Sequence, residues 1–504
     1  MNGFNLLICA ISFLSLETID VEGYLGMNWG RLATQRMIPS MVVDLLMQNK
    51  INYVKLYSAS DNVLEAFSAT DMGLEVTMPN LYTQKLKNQV DVIDWVVQII
   101  VRHPNVHFMY VCIGTQPLSI TFSNQIYPEA IQVLDWTQRA LNLINKSEIK
   151  ATMSHYTDVL IPVKKPSEGA FRANLEPNMT RSCQILQSNN APIGLDVFPL
   201  LSVNDLFNGD TEFAFFENNS TLVFKDGDKT YSNVFEVMYD MFDVALEKVG
   251  CPNMTIIVDA IGWPTDGIKD GNIPNAQRFH QGLAKFVASK KGTPRRPGPI
   301  DVYIHNLSDE NRINKTTGSF RRHWGIYKFD GQPKFNFDLQ GLGRDVKLVP
   351  AVGITQMPKR WCIVNGDVGN DIDNTTRQNF LDACNSTVDC TAMEAGASCS
   401  NLTETQKLSY VFNMGFQTTA QDVYNKSCYY NGYGKIVSDD PSTPFCTFPV
   451  EILAAEIPNF NGYARSLAHA LKPSSISLMI AIMQTLFICF ILMCTCDYNG
   501  FGAI

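Results

Sequence analysis

The sequence predicts an α/β chain, a (β/α)8 TIM barrel followed by a small disulfide-rich domain. Three observations carry that expectation. Short β-rich runs alternate with helical segments of ten to twenty residues from Gly23 to Asn306, the rhythm of βα units. Six of the thirteen cysteines crowd between Cys362 and Cys446. At 504 residues the chain also exceeds what one hydrophobic core normally serves.

Eight runs read as strands: residues 24–28, 53–56, 74–78, 106–113, 150–153, 193–197, 255–259 and 302–306. Helical patterns lie between them. Residues 90–101 place apolar side chains at helical spacing, and Pro128 opens a run to Leu143 at the first turn, where its missing N–H costs nothing. Residues 231–249 and 276–288 repeat the pattern. In a parallel barrel the chemistry gathers where strands end, at the C-terminal face.

Residues 6–16 are apolar and are followed by Glu17, Thr18 and Asp20, the outline of a secretory signal over residues 1–23. Eleven N-x-S/T sequons, at Asn145, Asn178, Asn218, Asn219, Asn253, Asn306, Asn314, Asn374, Asn385, Asn401 and Asn425, agree with an exocytic route. So does the cysteine cluster: Cys362, Cys384, Cys390, Cys399, Cys428 and Cys446 read as three disulfides of unassigned pairing. Short C-x-x-C spacings with histidines are missing there, so no metal is expected, and no cofactor. Of Cys112, Cys183 and Cys251, at least one must stay unpaired within the large domain.

Residues 476–494 are almost wholly apolar, and Asp497 is the only charge beyond them. A stable membrane span normally keeps Lys or Arg on its cytoplasmic side, so a removed glycolipid-anchor signal (GPI) is the reading, a single transmembrane helix the alternative. A net charge of −9 disfavours nucleic acid and leaves neutral polysaccharide open.

Within the barrel stretch, Gly26-Met-Asn28-Trp-Gly30, Asn190-Ala-Pro192, Phe213-Ala-Phe-Phe216, Gly262-Trp-Pro264 and His323-Trp-Gly325 stand in order. This series resembles the plant endo-β-1,3-glucanases of glycoside hydrolase family 17, from about Gly23 to Gly341. The resemblance implies retaining hydrolysis of β-1,3-glucan, in which one carboxylic acid protonates the leaving oxygen and a second, about 5 Å away, attacks the anomeric carbon. The family's acid closes a V-G-N-E-P motif. The matching segment is Ile113-Gly-Thr-Gln-Pro117, with Gln116 at the acid position. The nucleophile stands two residues before Gly-Trp-Pro, and that position is Ala260.

Neither side chain can do the work its position requires. Surrogate acids are Asp196, Glu310, which matches a supporting glutamate of the family, and Asp259. Alternation along the strand turns Asp259 toward the helices. Where the family has a lysine three residues after that glutamate, this chain has Ile313. Phe198, Trp263, Tyr57 and Tyr156 are expected cleft walls, because sugars stack their apolar faces on aromatic rings.

The six cysteines, with Tyr410-Val-Phe-Asn413 and Phe416-Gln417, resemble the plant carbohydrate-binding module of family 43, whose implied ligand is β-1,3-glucan. Trp361, Tyr410 and Tyr429 are its candidate contacts. The expected layout is signal 1–23, barrel 24–340, linker 341–360, module 361–448, stalk 449–475 and hydrophobic tail 476–504. The expected function is a monomeric, cell-surface callose-binding protein deficient in hydrolysis, facing the cell wall from the plasma membrane. An active endo-β-1,3-glucanase using displaced carboxylates is the alternative.

Overall fold

The computed structural model describes residues 23–122, 125–217, 220–366, 372–385, 388–422 and 426–453. The expected signal, the apolar tail and its anchor lie outside the described residues, as do Asn218, Asn219 and Asn425. Among the described residues no helix is long and apolar enough to cross a membrane.

The barrel strands are β1 (Leu25–Trp29), β2 (Tyr53–Leu56), β3 (Gly73–Met78), β4 (Phe108–Ile113), β5 (Lys150–Thr152), β6 (Ser154–Tyr156) and β7 (Ile193–Val197). An antiparallel hairpin of β8 (Phe224–Asp226) and β9 (Lys229–Tyr231) follows outside it, before β10 (Ile256–Ile261) and β11 (Val302–Ile304) return to the barrel. The parallel order is β5-β4-β3-β2-β1-β11-β10-β7-β6. Since β5 pairs with β4 and β6 with β7, and only Met153 separates β5 from β6, the ends of this order are two halves of one strand. Eight expected strands therefore close a barrel, the fifth broken in two.

Helices ring the sheet because each buries one apolar face against it. Glu129–Leu143 turns Ile131, Val133, Leu134 and Leu141 inward, while Asn233 and Asn272 cap Val234–Lys248 and Ile273–Ala288 by accepting bonds from first-turn N–H groups. Cys183 and Cys251 form a disulfide, leaving Cys112 free and buried on β4.

In the second domain β12 (Trp361–Val364) pairs antiparallel with β13 (Gly434–Val437) beside the helix Glu404–Thr418. Thr403 and Gln406 form a capping box at that helix's start. The pairings left open by the sequence are Cys362–Cys428, Cys384–Cys390 and Cys399–Cys446.

This domain docks on the barrel segment that follows β11. Arg322 pairs with Asp389 at 2.8 Å, Lys315 with Glu394 at 2.8 Å, and a His323 ring nitrogen meets the Thr391 hydroxyl at 2.8 Å. Ser398 donates to Asp266 on the loop after β10.

Candidate functional site

A cleft of about 670 Å³ opens at the C-terminal ends of the strands. Gln116 enters it from the turn after β4. Its φ of 50° is in the left-handed region, and Asn80 fixes the turn by accepting from the Thr115 N–H at 2.8 Å and donating to the Thr115 carbonyl at 2.9 Å. The Gln116 amide donates to one oxygen of Asp196. Burial, then the nearby Asp259 charge, push the Asp196 carboxyl up to about 7.

Ala260 also lines the cleft, and the reason is a β-bulge. The register of β10 against β7 shifts between Val258 and Ala260, so Asp259 is the extra residue and strict alternation fails. Asp259 accordingly does not face the helices as alternation predicts. Its carboxylate lies inside the barrel, ion-paired with Lys55 of β2, which also meets Glu75 of β3 at 2.9 Å. Burial pulls the Lys55 pKa down, but Asp259, Cys112 and Glu75 outweigh it and hold the ammonium well above its ordinary value. This buried cluster of Lys55, Glu75 and Asp259 forms part of the barrel's filling.

Glu310 lines the cleft, with both oxygens engaged: one accepts from the Leu32 N–H at 2.7 Å, the other from Asn306 Nδ2 at 2.7 Å. Burial raises its carboxyl to about 7. Asn306 is itself buried at 1% exposure, so this sequon is inaccessible in the folded chain.

Of the expected aromatic walls, Phe198 and Tyr57 line the cleft. Tyr57 donates to or accepts from a His305 ring nitrogen at 2.9 Å and accepts from Asn28 Nδ2 at 3.0 Å. Tyr156 lies behind, with its ring packed on Phe122 and Phe198. Trp263 is not a wall. It is fully buried, stacked on Phe215 with its indole N–H on the Asp270 carbonyl, because the chain turns the residue after Gly262 into the helix-side core.

In the second domain Trp361 and Tyr410 are core residues as well. Trp361 donates to the Phe448 carbonyl, and Tyr410 packs edge-on against Phe448. A domain this small needs its large rings for a core, leaving them no face for a sugar. Tyr429 remains 53% exposed, with the Lys426 ammonium over its ring.

Trp324, His305, Phe122 and Arg321 also line the cleft, beyond the residues the sequence points to. Trp324 was legible within His323-Trp-Gly325. His305 was legible as the residue just past the end of β11, where a barrel gathers its site. Phe122 sits on an irregular segment and Arg321 on the short 3-10 helix Ser319–Arg322, and neither is long enough to leave a periodic pattern in the sequence.

The model for glycosyl hydrolases family 17 matches residues 25–339, and that for the X8 domain matches residues 360–435. Glucan endo-1,3-beta-glucosidase 8 of Arabidopsis thaliana is 35% identical over 475 residues, covering 92% of this chain and 97% of that protein. Glucan endo-1,3-beta-glucosidase 5 of the same plant is 35% identical over 447 residues, covering 86% and 89%. Among solved structures, the β-1,3-glucanase and allergen of Cryptomeria japonica pollen superposes with a TM-score of 0.59 at 28% identity, covering 63% of this chain and 98% of that one.

Proposed function

We propose, from the premise that this chain belongs to glycosyl hydrolases family 17 and carries an X8 domain, that it binds β-1,3-glucan without hydrolysing it. One observation carries the reading. Among the described residues lining the cleft, Glu310 is the sole carboxylate. Glycoside hydrolysis with either stereochemical outcome needs two carboxyl groups flanking the bond, one to protonate the leaving oxygen and one to attack or to activate water. Gln116 has no acidic proton, and the Ala260 methyl has no lone pair.

The surrogates do not refill these roles. Asp259 is held by Lys55 beneath the cleft, and Asp196 is capped by Gln116. Glu310, with a pKa near 7, is suited to carry a proton but has no partner carboxylate among the lining residues. Binding needs none of this chemistry. Tyr57, Phe122, Phe198 and Trp324 supply apolar ring surface, and Asn80 and Gln116 supply amides for hydroxyls.

The second domain gives a second glucan contact in this reading, with Tyr429 its exposed ring. A chain that is secreted and held at the plasma membrane by a glycolipid completes the proposal, resting on residues 1–23 and 476–494.

The test is reducing-end release from soluble β-1,3-glucan by the purified ectodomain, beside the double variant Gln116→Glu, Ala260→Glu. The natural chain should match a no-enzyme blank while still co-sedimenting with insoluble β-1,3-glucan. Release above the blank by the natural chain, or failure to co-sediment, overturns the reading.

A further inference from the structure

The cleft carries more cation than a neutral glucan uses. Arg321 and Lys85 line it together with the single carboxylate of Glu310. A neutral glucan offers hydroxyls and C–H faces, which rings, amides and hydroxyls already serve. A half-buried guanidinium is costly to place where nothing pairs with it.

Arg321 is in that position. Its guanidinium lies over the Phe122 ring, 5.1 Å from the centroid, and among the described residues it makes no ion pair. Its neighbour Arg322, by contrast, is satisfied by Asp389 at 2.8 Å and by the Ile313 carbonyl at 2.9 Å. Glu310 is near enough to be felt electrostatically, but both its oxygens are engaged by Leu32 and Asn306. The carboxylates of Asp196 and Asp259 lie beneath, held by Gln116 and Lys55.

Arg321 is also held in place. The residues after it are tied to the second domain through Asp389 and Thr391, so the cation is presented on a braced segment. A planar forked donor on an aromatic face suits the two oxygens of a carboxylate.

We propose that the cleft takes a β-linked glycan bearing a carboxylate, a uronate-type sugar, at the position facing Arg321. This rests on the reading of the cleft as a glycan-binding groove and narrows its ligand class. Lys85, exposed at the mouth, adds long-range attraction for the same charge.

The experiment is titration calorimetry of the full ectodomain at pH 6 and low salt with two probes. One is a β-1,3-linked gluco-oligosaccharide. The other is the same oligosaccharide oxidised at C6 to uronate. The oxidised probe should bind roughly tenfold tighter, the scale of a charge-assisted bond. Arg321→Gln should abolish that ratio, Arg321→Glu should reverse it, and Arg321→Lys should keep part of it. Thermal melting of each variant separates misfolding from lost recognition.

Equal affinity for the two probes in the natural chain, or a preference that survives Arg321→Gln, overturns the inference and leaves glucan binding standing. Binding of neither probe overturns the glycan-groove reading itself.

Discussion

At the scale of single residues, the cleft keeps one protonatable carboxyl group among its described lining residues. Glu310 is raised by burial from 4.5 to about 7. Between those values the folded chain still holds a proton that the unfolded chain has released. Stability should therefore be greatest below about pH 4.5 in this contribution and fall as pH rises toward 7, by up to about 3 kcal/mol. Chemical denaturation across that window should show a flatter pH dependence for Glu310→Gln than for the natural chain. Asp196, raised in the same direction, leaves a residual slope. An unchanged slope in Glu310→Gln would mean that Glu310 is not the protonating group.

At the scale of elements, similar aromatic residues divide into packing and display. Trp263, stacked on Phe215 and tilted against Phe279 with no exposure, holds the β10 loop against the helix Ile273–Ala288. Trp263→Ala should cost about 3–5 kcal/mol by leaving a cavity, the Asp270 carbonyl still accepting from Asn275 Nδ2 at 3.0 Å. Tyr429→Ala in the second domain should leave the melting temperature unchanged and weaken insoluble-glucan retention. Equal destabilisation by both substitutions would contradict this division. The bulge at Asp259 works at the same scale, since one extra residue in β10 sends a carboxylate into the barrel and a methyl group into the cleft.

For the whole molecule, the second domain braces the cleft through the segment carrying Arg321 and Trp324. The pairs Arg322–Asp389 and Lys315–Glu394 and the His323–Thr391 bond cross between the two domains. Barrel and module should therefore unfold in one calorimetric transition. Asp389→Ala combined with Glu394→Ala leaves Arg322 and Lys315 without their carboxylate partners across the domain boundary and should split the transition in two. A natural chain that already melts in two steps would rule out this coupling.

By itself the sequence determined the barrel and the cysteine-rich module. Those features rest on local periodicity, cysteine spacing and short motifs, each written in neighbouring residues. Phe198 and Tyr57 were legible as cleft residues because they stand at or just past the ends of regular strands. Tertiary structure alone decided the rest. A bulge in β10 turned Asp259 inward, against the alternation its neighbours obey. Burial assigned Trp263, Trp361 and Tyr410 to cores, since a ring's composition does not say which side of it water will reach. The three disulfides of the module were chosen among many pairings by the path of the chain. Arg321 acquired its place on Phe122 only when the short 3-10 helix Ser319–Arg322 after β11 was pinned by residues some 70 positions downstream, through contacts such as Arg322 with Asp389, 67 residues apart. Contacts that distant in the chain leave no periodic trace in the sequence, because no local repeat encodes them.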